Sequence, residues 1–83
     1  MKLHYFAWLR QKIGKAEETL DVPAGVGTVA ELVGWLKQRG PEYAQAFSRP
    51  EVIRTAIDRT HVQPGASITD AREIAFFPPV TGG

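Results

Sequence analysis

Hydrophobic and polar positions alternate at both ends of the chain and take up a helical period in between. The stretch "KLHYFAW" at 2–8 is rich in aromatics and predicts a first strand, buried on at least one side. "LRQKIG" has room for one helical turn, stopped at Gly14. "AEETLDV" at 16–22 alternates again, with Leu20 and Val22 on one face and Thr19 and Asp21 on the other, so a second strand follows. Pro23 and Gly25 end it.

The clearest helix is "TVAELVGWLKQRGP". Thr28 is a good N-cap, and Glu31 lies three residues on, the capping-box spacing that satisfies two otherwise orphaned N–H groups. Val29, Leu32, Val33 and Leu36 follow the i, i+3, i+4, i+7 rule and make one face apolar. Lys37 and Arg39 fall at the negative end of the helix dipole. Gly40 is expected in a left-handed C′ position, and Pro41 forbids continuation. Gly34 costs about 1 kcal/mol against alanine inside this helix, a cost that close packing would offset. Trp35 borders the apolar face and reads as a tryptophan at the core edge.

"PEYAQAFSRP" is weakly helical and leads to "EVIRTAID", a strand with Ile53, Thr55 and Ile57 on one face. "RTHVQPGASITDA" holds turn residues around a short extended piece, and "REIAFF" forms the last strand. The order is strand, strand, helix, strand, strand. One main amphipathic helix packed on one face of a small mixed sheet buries this much apolar surface, an α+β class with a β-grasp arrangement.

Eighty-three residues are expected to build one domain, since so short a chain cannot make a second core. The 43% hydrophobic and 23% charged residues are ordinary for a soluble globular protein. The absence of cysteine excludes disulfides and fits a reducing compartment. With only two histidines it also argues against a structural zinc site, so no metal is expected. His4 and His61 lack a nearby nucleophile in sequence and read as surface or strand residues. No apolar run reaches the roughly 18 residues of a membrane span, and "MKLHYFAWLR" lacks a signal-peptide pattern. A cytoplasmic location is expected, with no membrane partner. The net charge of +1 and interspersed signs, as in "RQKIGKAEE", predict a solvated mixed-charge surface and no nucleic-acid partner.

The end of the chain, "FFPPVTGG" at 76–83, is unusually specified. On the last strand Ile74 and Phe76 point one way, and Glu73, Ala75 and Phe77 the other. Ile74 and Phe76 belong to the core. Phe77 shares a face with a charged residue and is expected to be at least partly exposed. Beside Pro78, Pro79 and Val80 it forms a small apolar patch at the root of a tail. The prolines end the strand and favour an outward polyproline II path. Residues 78–83 reach up to about 20 Å, enough to enter another protein's active site. Gly82 and Gly83 carry no side chain to obstruct a narrow channel, and they deliver an α-carboxylate. Two readings follow from the residues: a docking patch with a threadable handle, or an inert Gly-Gly end.

A β-grasp order ending in "FFPPVTGG" closely resembles the small, sulfur-carrying subunits of molybdopterin synthase, a ubiquitin-like family. The resemblance covers the whole chain, including "YFAWLRQKIG" and the helix beginning "TVAELVGWL", and "EIAFFPPVTGG" at 73–83 is its strongest part. It implies a carrier without catalysis of its own. An activating enzyme that consumes ATP would adenylate the Gly83 carboxylate, and sulfur would then replace AMP to leave a thiocarboxylate. The carrier would dock on the large catalytic subunit in a heterotetramer and thread its tail inward. Its sulfur would pass to the cyclic pyranopterin precursor and build the molybdopterin dithiolene of molybdenum cofactor biosynthesis. Carried over by position, Gly83 bears the sulfur, Gly82 and Thr81 give access to it, and Phe77, Pro78, Pro79 and Val80 form the docking surface. No bound cofactor is implied.

The family commonly has a glycine followed by an acidic residue just before the last strand. Here Ala71 and Arg72 follow Asp70, so Ala71 must either accept a positive φ or adopt another turn. Carriers for thiamine or tRNA thiolation share the fold, the Gly-Gly end and the adenylation step. A ubiquitin-like modifier joined to lysines through Gly83 is a further alternative.

Overall fold

The computed structural model describes residues 1–79. Strand β1 (Lys2–Tyr5) is followed by α1 (Ala7–Ile13), β2 (Glu17–Thr19), α2 (Val29–Lys37) and α3 (Pro41–Ala46). A 3-10 turn at Pro50–Val52 leads into β3 (Arg54–Ile57), β4 (Thr60–Val62) and β5 (Glu73–Phe77). The five strands form one mixed sheet in the order β2-β1-β5-β3-β4. The parallel pair β1 and β5 sits at its centre, and the other neighbours are antiparallel. This is the expected α+β β-grasp arrangement, with one more strand than the pattern predicted.

The core lies between the sheet and the helices. Leu3, Tyr5, Ile74 and Phe76 enter it from β1 and β5, Leu9 and Ile13 from α1, and Val29, Leu32 and Leu36 from α2. Tyr43, Ala46 and Phe47 close it from α3 and the residue after it. Phe76 is its aromatic hub. It stacks on Tyr5 at 6.3 Å and meets the edge of Phe47 at 5.1 Å between centroids, an arrangement that adds about 0.5–1.5 kcal/mol per pair to area burial.

The start of α2 forms as its sequence dictates. Thr28 Oγ1 accepts from the Glu31 N–H at 3.2 Å, while Glu31 Oε1 accepts from the N–H groups of Thr28 and Gly27 at 3.1 and 3.0 Å. The end of α2 differs from expectation. Gln38 caps the helix in a right-handed conformation, and Gly40 is extended (φ 167°) as the residue that begins α3. Pro41, the first residue of a new helix, sets that extended approach. Trp35 is partly buried against the core, as expected, and Arg39 lies 5.3 Å over its ring.

The first strand stops at Tyr5, three residues earlier than its aromatic run predicts. Ala7 takes φ 54°, at a cost of about 1–2 kcal/mol for a residue with a Cβ. The chain then enters α1, which buries Leu9 and Ile13 one turn apart. That helix is seven residues long, longer than the single turn expected, and Gly14 ends it with φ 89°. The second strand is shorter than 16–22, although Leu20 and Val22 beyond it still pack on the core. The strand expected from Glu51 begins at Arg54, because the proline at 50 starts a 3-10 turn instead.

Asp58 and Arg59 form a two-residue hairpin between β3 and β4, both with positive φ (48° and 73°). Asp58 Oδ1 accepts from the N–H groups of Arg72 and Glu73 at 3.0 and 2.9 Å, tying the hairpin to the start of β5. Positive φ among the described non-glycine residues is confined to Ala7, Asp58 and Arg59. Ala71 therefore adopts another turn, its N–H donating to the Ile68 carbonyl at 3.1 Å and its methyl packed on the core.

Candidate functional site: the open sheet face and the root of the tail

Strand direction decides what surrounds the chain where it leaves the sheet. Because β1 and β5 are parallel, Tyr5 pairs with Phe76, and the Phe6 N–H donates to the Phe76 carbonyl at 3.1 Å. Because β3 is antiparallel to β5, its first residue, Arg54, lies opposite Phe77. The start of α1, the start of β3 and the root of the tail therefore share one edge of the molecule.

Alternation then divides the residues between two faces. Tyr5, Phe76 and Thr55 form a row that is buried under the helices. On the open face, Glu17, His4, Ala75, Ala56 and His61 form a row across all five strands. The two alanines floor a shallow trough of about 260 Å³ between taller neighbours, among them His4, Phe6 and Glu73. His4 stacks on Phe6 (6.4 Å, 18°), and His61 meets Phe77 (5.2 Å, 56°).

Phe77 is partly exposed on this face, as the alternation predicts, with Pro78 partly buried and Pro79 exposed. Val80, Thr81, Gly82 and Gly83, the remaining site residues expected from the sequence, lie outside the described residues. Phe6 is the residue that the sequence reading missed. It is 50% exposed, the large apolar side chain that stands out among the described residues. Its signal was available, since Leu3 and Tyr5 alternate with Lys2, His4 and Phe6.

His4 lies in β1 with Nε2 3.2 Å from Glu73 Oε2 and Nδ1 3.5 Å from Glu17 Oε2. The contacts link the three strands on that half of the sheet. His61 is exposed on β4. Neither has a nucleophilic partner among the contacts of the described residues. No cluster of His, Asp or Glu among the described residues could hold a metal ion. The face offers apolar and aromatic contact area.

Behind the sheet, Glu18 pins β2 to the body. Its Oε2 accepts from the hydroxyls of Tyr5 and Tyr43, each at 2.7 Å, and its Oε1 accepts from Lys15 Nζ at 3.2 Å. Burial pushes the Glu18 carboxyl up, but hydrogen bonds from Tyr43, Tyr5 and Lys15 outweigh it and hold the group below the usual carboxylate range. Burial first, and the Glu18 contact second, push the Tyr5 hydroxyl well above its ordinary range. The cluster therefore sets an ionised Glu18 carboxylate against a neutral Tyr5 hydroxyl.

A mixed β-grasp sheet with a parallel central pair, an aromatic open face and two prolines directly after its last strand places the chain in the ubiquitin-like fold class. The chain belongs to the ThiS family, whose model matches residues 3–83. It is 32% identical over 83 residues to the molybdopterin synthase sulfur carrier subunit of Escherichia coli (strain K12), covering 100% of this chain and 99% of that one. It is 32% identical over 79 residues to the subunit of the same name from Haemophilus influenzae, covering 95% and 94%. Among solved structures it is similar to SAMP1 from Haloferax volcanii, with a TM-score of 0.73 and 25% identity over 100% of this chain and 98% of that one. No helix among the described residues is long and apolar enough to cross a membrane.

Proposed function

We propose that this chain is the sulfur carrier subunit of a molybdopterin synthase, the non-catalytic partner of a large catalytic subunit. The observation that carries this is the full-length likeness to two molybdopterin synthase sulfur carrier subunits. The family match, which runs to residue 83, supports it. The Gly83 carboxylate is the carrying group. Its oxygen attacks the α-phosphorus of ATP on an activating enzyme, and pyrophosphate leaves. A sulfur nucleophile then attacks the acyl carbon and AMP departs, leaving a thiocarboxylate. Activation is needed because a carboxylate has no adequate leaving group of its own.

The charged carrier docks through Phe77, Pro78, Pro79 and Val80, joined by Phe6 on the same face. Thr81 and Gly82 lead the thiocarboxylate into the large subunit. There the sulfur passes to cyclic pyranopterin monophosphate, and two deliveries complete the dithiolene. Fully burying an exposed phenylalanine contributes about 1.5–3 kcal/mol, so half-exposed Phe6 and partly exposed Phe77 together supply an apolar anchor.

The test is the intact mass of the full chain after incubation with ATP, a sulfur donor and the activating enzyme of the molybdopterin pathway. The expected result is replacement of one oxygen by sulfur, abolished when Gly83 is removed. No shift, with the enzyme active on its own substrate, would move the assignment to thiamine or tRNA thiolation. Lysine-linked adducts in place of the thiocarboxylate would make the chain a protein modifier.

A further inference from the structure

A second concave surface lies at the same edge as the tail root, around the corner from the open face. It has a volume of about 310 Å³ and is formed by Trp8 and Lys12 of α1, Gln45 of α3, and Ser48, Arg49 and Val52 of the segment entering β3. Trp8 follows Phe6 by two residues, and Val52 precedes Arg54, the partner of Phe77, by two. Two of its walls, at Trp8 and Val52, thus lie within two residues of positions beside the tail root.

Its chemistry is one-sided. Trp8 is partly buried and presents apolar area, while Lys12 and Arg49 are exposed cations from two different elements. Neither forms an ion pair with another described residue. No carboxylate of the described residues lines the concavity. The nearest acid in sequence, Glu51, lines the cavities on the other side of the 3-10 turn. Arg54 on β3, opposite Phe77, adds a cation at the tail root and is likewise outside any ion pair among the described residues.

From this geometry we infer that the Trp8–Lys12–Arg49 concavity is a second docking site, which takes an acidic segment of the large subunit that receives the tail. The inference rests on the function proposed above for its choice of partner. Two cations outside any ion pair among the described residues, set beside an aromatic face, match a carboxylate-bearing loop that also supplies apolar contact. Long-range attraction by Lys12 and Arg49 orients the carrier before any short-range contact forms. Rim charges of this kind act mainly on the association rate, whereas the apolar anchor sets the dissociation rate.

The experiment measures association and dissociation rates of the full chain with its large subunit, at low and at high ionic strength. The doubly reversed variant K12E/R49E is expected to associate about tenfold more slowly at low salt, with little change in dissociation. The difference should shrink at high salt, where charges are screened. In a Trp35→Phe background, the Trp8 emission should shift to the blue on complex formation. Wild-type rates and salt dependence in K12E/R49E, or a Trp8 emission unchanged by binding, would overturn the inference. Competition by inorganic phosphate at constant ionic strength would also overturn it, assigning the concavity to a small anion. Phe77→Ala, run alongside, separates the two proposals. If it alone weakens binding, the open-face dock stands and this site falls; if only K12E/R49E does, the reverse holds.

Discussion

Phe76 and Phe77 are consecutive residues that face opposite sides of β5. Phe76 is fully buried between Tyr5 and Phe47, while Phe77 lies partly exposed beside His61. The same dipeptide thus anchors the last strand and begins the surface offered to a partner. Phe76→Ala is expected to cost about 3–5 kcal/mol of stability through loss of area and creation of a cavity. Phe77→Ala should cost less than about 1.5 kcal/mol and weaken binding to the large subunit. Urea unfolding and titration calorimetry separate the two effects. A Phe77→Ala variant that melts like Phe76→Ala would place the ring's role in folding.

The Asp58–Arg59 hairpin has the backbone signs of a type I′ turn without its preferred glycine. Arg59→Gly removes the Cβ from a residue at φ 73° and gives up only a 3.7 Å contact between exposed Arg59 and Glu73. It should stabilise the chain by about 0.5–1 kcal/mol. A lower urea midpoint would mean that the contact with Glu73 outweighs the backbone strain.

Glu18 ties folding to pH. Its folded carboxyl titrates below the ordinary value of 4.5, so the unfolded chain binds a proton first as the medium acidifies. The Glu18 contribution is complete above about pH 4.5 and is lost as pH falls through the lower folded value. Glu18→Gln should lower stability at neutral pH and flatten this acid limb. Urea midpoints measured from neutral pH down to about pH 3 should converge for the two proteins. An equally steep loss in Glu18→Gln would assign the acid limb to other carboxylates.

The proposed chemistry requires Gly83 to carry the reacting carboxylate. Adding one alanine after Gly83 is expected to abolish sulfur loading without altering the thermal midpoint. Mass spectrometry and a thermal melt read both effects from one preparation. A fully loaded and active extended chain would overturn the assignment of the carrying group to Gly83.

Local chemistry was legible wherever one segment sufficed to specify it. The Thr28–Glu31 box, the buried Val29, Leu32 and Leu36, the stop at Gly14 and the two faces of β5 all appear as read. Segments whose preference conflicts with their neighbours were harder. "YFAW" carries strong strand formers, yet Phe6 to Trp8 leave the sheet and the chain turns into a helix that buries Leu9 and Ile13. Tyr43 and Phe47 had helical i, i+4 spacing, but their central place in the core depends on which strand lies beneath them. The β3–β4 hairpin was hidden because Asp58–Arg59 lacks the glycine that announces such a turn.

The sequence by itself determined the period of each segment, the caps of its main helix, and which side of β5 each aromatic ring faces. These depend on backbone geometry over a few residues, which neighbouring side chains specify directly. Only the tertiary structure decided that β1 and β5 run parallel at the centre of the sheet. That choice brings Phe6 beside the root of the tail, lines up His4, Ala75, Ala56 and His61 across one face, and gathers Trp8, Lys12 and Arg49 at the tail edge. Such neighbours are dozens of residues apart in the chain, and burial of a shared core selects their juxtaposition.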